Sequence, residues 1–493
     1  MKSKKNLGLL LVVFLLLVTI FPPIYMIKNL YANQQTLNRK GVLLLINNDD
    51  YAFIEHDLQV FKSDVESKFP VNIKFIPIEN LRNYTPENIR NILIEECELD
   101  AVEGCKKIEG AIFVGDIPYA LYDQIYDNYN TAPFMFYYQD LDATFQKREN
   151  GHYFKYATFG IHEGPEIYIS WIKPLKDPNL GSSTEQLKNF FSKHHKFFSG
   201  ELVSNGKAVI AIHCDTDASK DKLIYNLFRE TYDEENIIQI HPHDGGCDNL
   251  EPVKPELLDC LSQSPEVAYL HSHGTPLSLW NLEKNDILSL QRLPLFLYSW
   301  GCNNGNFYYD ETRSFPLSFV NGKGLGLAYI GKLDSSDIKR DDTPECSTCR
   351  FINNQVYFFR YWNNGDYVGK ALLKVMHDFV NFKDPYFPEK PPLNLYQISG
   401  PLQRIIIGSP FIYSETAVRK VTPTPSCPSG DLGNLNCDDE GKINNEDLNI
   451  LLNNWAPAGP VPTPNPGQRR ADLNNDNKVQ ESDLTILLQN WLP

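Results

Sequence analysis

Two pairs of segments hold the residue types and spacings that could do chemistry. The first pair is a repeat: Asp447–Trp455 reads DLNILLNNW and Asp483–Trp491 reads DLTILLQNW, identical at seven of nine positions. Ahead of the second copy, Asp472, Asn474 and Asp476 take positions 1, 3 and 5 of a loop, with the Lys478 carbonyl at 7 and Asp483 at 12. A hard cation such as Ca²⁺ needs this oxygen set from a single loop. Ahead of the first copy, Asn436, Asp438 and Glu440 fill positions 1, 3 and 5, Gly441 the turn at 6, the Lys442 carbonyl 7 and Asp447 position 12. The neutral Asn436 predicts weaker binding there. Two polar turns before two helices is the plainer reading, and duplication at a fixed spacing weighs against it.

The second pair sets His and Cys just past apolar runs. Glu266–Leu270 runs into His271-Ser272-His273-Gly274, and Leu295–Tyr298 runs into Ser299-Trp300-Gly301-Cys302-Asn303-Asn304-Gly305. In open α/β sheets, functional groups gather beyond the carboxyl ends of the strands. If the two runs are parallel neighbours, His273 and Cys302 share one rim. A thiol there needs a base to become thiolate near neutral pH, and His is the usual supplier. The flanking glycines let backbone N–H groups approach a substrate carbonyl. His271 competes with His273, yet only His273 precedes a glycine. Taken singly, a strand-end His is more often structural and a Cys in an apolar stretch more often buried and inert; the joint placement tips the balance. His213, His241 and His243 lie near Asp215 and Asp244 and raise a metal alternative. The chain has no HExxH and no GxSxG motif, so neither a catalytic metal nor a serine hydrolase is expected.

The elements that must position these residues are short apolar runs alternating with helical patterns. The runs are Val42–Ile46, Ile73–Ile78, Ala111–Val114, Ile167–Ile172, Ala208–Ile212, Val267–Leu270, Leu295–Tyr298, Leu325–Ile330 and Ile405–Ile407. Continuous runs of this length predict strands buried on both faces. Helices are expected from Thr85-Pro86, over 184–198 and over 369–382, with Thr85 as N-cap and Pro86 at the first helical position. Strand and helix in alternation predict a doubly wound α/β architecture, divided into an N-terminal subdomain over 40–175 and a larger one over 176–413. Residues 414–428 are expected as a linker, where the Pro/Thr/Ser stretch VTPTPSCPSG, extended by composition, begins at Val421, and 429–493 hold the duplicated calcium-loop module.

With 42% apolar and 22% charged residues the chain is globular, and a net charge of −16 with no basic block argues against nucleic acid as a partner. Lys2, Lys4 and Lys5 precede an apolar run from Leu7 to Ile27. That run is long enough to span a bilayer, so residues 1–35 are read as an uncleaved transmembrane anchor in preference to a cleaved signal. The positive-inside rule then puts the rest of the chain outside the cytoplasm. Ten cysteines suit an oxidising compartment. Proximity suggests Cys97 with Cys105, Cys247 with Cys260, Cys346 with Cys349, and Cys427 with Cys437. Cys214 and Cys302 are left over.

A His-Gly strand end followed about thirty residues later by a strand ending in Cys resembles the clan CD cysteine peptidases, and among them is most similar to the gingipain-like family. Gly110–Pro118 (GAIFVGDIP), Tyr137–Asp142 (YYQDLD), Gly322–Gly331 (GKGLGLAYIG) and Ile405–Pro410 (IIIGSP) resemble further stretches of that family. The resemblance covers about 40–413. It implies a caspase-like sandwich and hydrolysis of protein or peptide substrates through an acyl-enzyme. It further implies His273 as general base, Cys302 as nucleophile, and the Gly274 and Cys302 N–H groups as oxyanion donors. Met135 falls near the place where arginine-specific members carry an acid, which implies an apolar or small P1 residue unless Asp140 or Asp142 reaches the pocket. The 429–493 segment resembles type I dockerins, which implies structural calcium and a cohesin-like docking partner. The rival expectation is a non-catalytic surface scaffold that keeps the fold and assembles through that module.

Overall fold

The computed structural model describes residues 39–100, 104–123, 131–158, 164–213, 218–241, 253–333, 347–380 and 404–420. The expected anchor, the calcium-loop module and residues 421–428 of the expected linker lie outside the described residues. So do Cys214, Cys247, Cys346, Cys427 and Cys437, and the side chain of Cys349. The start of that linker is corrected, since Glu415–Lys420 is helical. Among the described residues no helix is long and apolar enough to cross a membrane.

The chain forms two compact units. In the first, β1 (Lys40–Asn47), β2 (Val71–Ile78), β3 (Ile108–Val114) and β4 (Tyr168–Ile172) lie in the order β4-β3-β1-β2, all parallel. Val42–Ile46 is wholly buried, as a strand covered on both faces requires. Asn47 caps α1 (Asn48–Lys68), whose Ile54, Leu58, Phe61 and Val65 make a buried stripe at helical spacing. Thr85 and Asn88 cap each other at the start of α2 (Pro86–Cys97), with Pro86 in the first turn. Ser182 and Glu185 do the same for α3 (Ser183–Phe198). This unit extends to Leu202. It therefore includes α3, past the boundary expected at residue 175, because α3 packs on α1 through Phe191 against Phe61, ring centroids 5.4 Å apart.

The second unit contains β5 (Ala208–Ile212), β6 (Ile237–Ile240), β7 (Val267–His271), β8 (Phe296–Trp300), β9 (Ala328–Lys332) and β10 (Arg404–Gly408). Their order is β6-β5-β7-β8-β9-β10, parallel except for β10, which runs antiparallel to β9. Its helices include α4 (Ala218–Thr231), α5 (Lys254–Ser262), α6 (Phe315–Asn321), α7 (Ser347–Asn363) and α8 (Val368–Val380). Phe358, Phe359 and Trp362 of α7 pack on Phe296 and Tyr298 of β8 at 5.1 to 5.7 Å between ring centroids. That contact buries one face of the sheet.

Mixed α/β architecture with mostly parallel strands is what the apolar runs predict, and each of the nine runs overlaps a strand, although Ile167, Leu295 and Leu325–Leu327 stand ahead of theirs. Cys97 and Cys105 are joined, Cα atoms 5.0 Å apart. Cys260 corrects an expectation: it is a free thiol, so the bridge expected between Cys247 and Cys260 is not formed. Its side chain is buried on α5 beside Leu257 and Leu261, where it packs as a small apolar group, and burial raises its pKa.

Candidate active site

β7 and β8 are adjacent and parallel, with His271 directly opposite Trp300. His273 and Cys302 each lie two residues beyond those partners, so both leave the sheet at the same rim. His273 is exposed, and Cys302 is a free, partly exposed thiol. The two turns touch backbone to backbone. A Cβ placed on Gly274 would sit 2.9 Å from the Gly301 Cα and 3.1 Å from the Cys302 carbonyl oxygen. Any side chain at Gly274 would force the turns apart.

Four features hold the Cys302 turn in place. Asn303, directly after the thiol, is buried and adopts φ +53°. For a non-glycine residue this costs on the order of 1 kcal/mol. Asn304 is fully buried and spends its amide on both sides. Its Nδ2 donates to the Thr275 carbonyl at 3.1 Å and the Ser278 carbonyl at 3.0 Å, while its Oδ1 accepts from Ser299 Oγ at 2.8 Å. The Tyr329 hydroxyl donates to the Asn304 carbonyl at 3.3 Å. Asn304 therefore ties the Cys302 turn to the hairpin of Gly274–Thr275 and Ser278–Leu279 that follows His273. The hairpin then turns through Trp280 and Asn281, both at φ +55°.

Around His273 the neighbours are aromatic and imidazole rings. His213, at the end of β5, is buried, donates its backbone N–H to the His271 carbonyl at 2.8 Å, and lies edge-on to His273 with centroids 5.3 Å apart. Trp280 closes on His213 at 6.2 Å. The metal alternative gains nothing here: His243, Asp215 and Asp244 lie outside the described residues, and among those described no group of three or more metal-binding side chains includes a histidine. Sequence reading passes over Asn304 and the proximity of His213 to His273. Asn304 has a weak signal in the Asn-Asn-Gly run after Cys302, and His213 has the same strand-end position as His271 on a neighbouring run.

The first unit holds an acidic cluster in the YYQDLD stretch. Carboxylate oxygens of Asp140, Asp142 and Glu166 lie within 4.8 Å of one another. Arg90 braces the segment by donating to the carbonyls of Tyr137, Asp140 and Ala143 at 2.8 to 2.9 Å. Burial pushes the Glu166 carboxyl up to about 8, and the Asp142 charge adds to this; the Leu141 N–H on Glu166 Oε2 and the Arg90 charge oppose it. Met135 is buried, at the head of the short helix Phe136–Gln139.

No family model matches the chain, and no curated protein does. Among solved structures, it is similar to the Saccharomyces cerevisiae separase–securin complex at 12% identity and a TM-score of 0.32. That match spans 49% of this chain and 14% of the other.

Proposed function

We propose that this chain is a cysteine peptidase of the caspase-like, gingipain-like kind, which attacks a peptide carbonyl with Cys302 while His273 serves as base. The observation that carries the reading is the backbone contact of Gly274 with Gly301 and Cys302 at the carboxyl ends of two adjacent parallel strands. It brings an exposed imidazole and a free thiol to one rim; in this reading the Gly274 and Cys302 N–H groups serve as the oxyanion donors. In the reaction the Cys302 Sγ–H proton passes to the His273 ring and the sulfur forms a bond to the carbonyl carbon. The proton then goes to the leaving amine as the C–N bond breaks. Water releases the acyl group from sulfur, with His273 taking its proton. Export, anchoring by residues 1–35 and calcium-dependent docking through 429–493 belong to the same proposal.

The test is the full chain on a peptide library beside Cys302→Ala and His273→Ala. Each variant should lose hydrolysis by several orders of magnitude with an unchanged melting temperature, since nucleophile and base act as a unit. Iodoacetamide should label Cys302 faster in the parent than in His273→Ala. Cleavage retained in Cys302→Ala would end the peptidase reading. A Cys302 that is inert whether or not His273 is present would favour the scaffold.

A further inference from the structure

Arg404 is the first residue of β10, and because β10 is antiparallel to β9 it stands at the rim where β7 and β8 end. It is 2% exposed. One guanidinium nitrogen, Nη1, donates to the Ser299 carbonyl at 3.2 Å. The other two, Nε and Nη2, are buried with no hydrogen-bond partner. No carboxylate pairs with Arg404 among the described residues. The guanidinium lies over the Trp300 ring at 4.2 Å and the Tyr298 ring at 5.4 Å. Stacking of this kind holds the plane but satisfies none of its in-plane donors.

The pleat places the neighbours. Lys332 is directly opposite Arg404 and is itself buried. Trp300 is opposite His271, their rings 6.2 Å apart and edge to face. Residues two apart on a strand share a face. His271, Trp300, Lys332 and Arg404 therefore line one face of the sheet, immediately below His273 and Cys302. On the opposite face Ser299 and Ser272 are buried, and Asn304 with the hairpin after Gly274 fills the space. His271 and Trp300 stay partly open. Beyond the part of this face that α7 covers, these two partly open rings stand beside Cys302, and two buried cations lie behind them.

We propose that Arg404, seconded by Lys332, is the specificity-determining residue of this site and selects an acidic P1 residue, aspartate or glutamate. This rests on the peptidase reading and names its substrate class. A P1 carboxylate would accept from Nε and Nη2 as a bidentate partner and give the buried guanidinium the counter-charge it lacks. Trp300 would be the aromatic edge over which the side chain enters.

The test uses the full chain on a library varied at P1, beside Arg404→Met and Arg404→Lys. Aspartate or glutamate should exceed asparagine, glutamine and leucine by about thirtyfold or more in kcat/KM, the loss on removing one partner of a buried, hydrogen-bonded charge pair. Arg404→Met should lose most of that ratio, with kcat/KM falling far more for acidic than for neutral P1 substrates, and Arg404→Lys should restore part of it. If Arg404 only supports Trp300 and the Ser299 carbonyl, both variants would lower all substrates alike, and the proposal is overturned. The parent's own P1 profile keeps the test decisive should Arg404→Met fail to fold: dominance of neutral or basic residues refutes the proposal. Such a result leaves the peptidase reading standing, because hydrolysis and His273-dependent labelling of Cys302 would persist. Loss of both in the parent refutes the two together.

Discussion

Replacing Gly274 by alanine probes the geometry of the rim with one methyl group. The added Cβ would stand 2.9 Å from the Gly301 Cα and 3.1 Å from both the Gly301 carbonyl carbon and the Cys302 carbonyl oxygen. Carbon pairs rest at about 3.5 Å or more, so the turns must separate by about 0.6 Å. All three contacts are backbone, and no side chain can rotate away to absorb the strain. Overpacking of this size costs about 1–3 kcal/mol. The catalytic effect should be larger in proportion, since a misplacement of about 1 Å costs on the order of a hundredfold in rate. Gly274→Ala should therefore lower kcat/KM by roughly tenfold to a hundredfold while melting as one cooperative unit. Leu58→Ala is the control: it removes a fully buried side chain on α1, in the other unit, at about 2–5 kcal/mol. It should lower the melting temperature at least as much and leave kcat/KM of the folded enzyme near the parent's. If Gly274→Ala hydrolyses peptides at the parent rate, the two turns do not form one site.

Asn304→Ala should remove the clamp between the turn and the hairpin, lowering stability by about 2–4 kcal/mol and kcat/KM at least tenfold. Asn304→Asp should do worse, because its carboxylate would face the Thr275 and Ser278 carbonyls; melting and kinetics that match the parent would contradict the clamp. Glu166→Gln tests the buried acid in the first unit. Below pH 4.5 folded and unfolded chains both hold the proton; between 4.5 and about 8 the unfolded chain releases it and the folded chain keeps it, so the penalty grows with pH and is complete above 8. At about 1.4 kcal/mol per unit that gap reaches about 5 kcal/mol as an upper bound. The glutamine variant should melt near the parent at pH 4.5 and increasingly above it towards pH 8, and a pH-independent difference would refute the raised pKa. The 429–493 segment should gain helical circular dichroism with calcium and lose it with chelator, with Asp476→Ala weakening the response more than Asp439→Ala, since position 4 of such a loop points away from the ion. Equal ellipticity under both conditions would withdraw the calcium-loop assignment.

The nine strands were legible because strands buried on both faces leave an unbroken apolar run, and Val42–Ile46 is such a run with every residue buried. β6 is not legible in its sequence. It is four residues long, and its Gln239 is exposed in a strand at the sheet edge, so the run is broken where neighbours cease to cover it. α1 is hard to see in the sequence although its buried positions recur at spacings of four, three and four. Strongly charged residues between them lower the mean hydropathy, and only the period carries the signal. Strand order and the antiparallel sense of β10 were illegible, since neither is written in any one run.

The same limit separates the parts of the site. His273 and Cys302 could be read because each closes its own apolar run and each is followed by small, turn-forming residues. Their partners contribute through distance in sequence. Asn304 reaches carbonyls 26 and 29 residues away, and Arg404 reaches Ser299 across 105 residues. In the linear chain Arg404 is a lone cation before an apolar run, which ordinarily means a solvated strand end. It becomes buried because β10 enters the sheet in reverse and delivers its first residue to the rim where the parallel strands deliver their last. A parallel β10 would have carried Arg404 to the opposite edge of the sheet, away from the face below Cys302. Strand direction, a property of pairing alone, thus decides whether this arginine stands at the site.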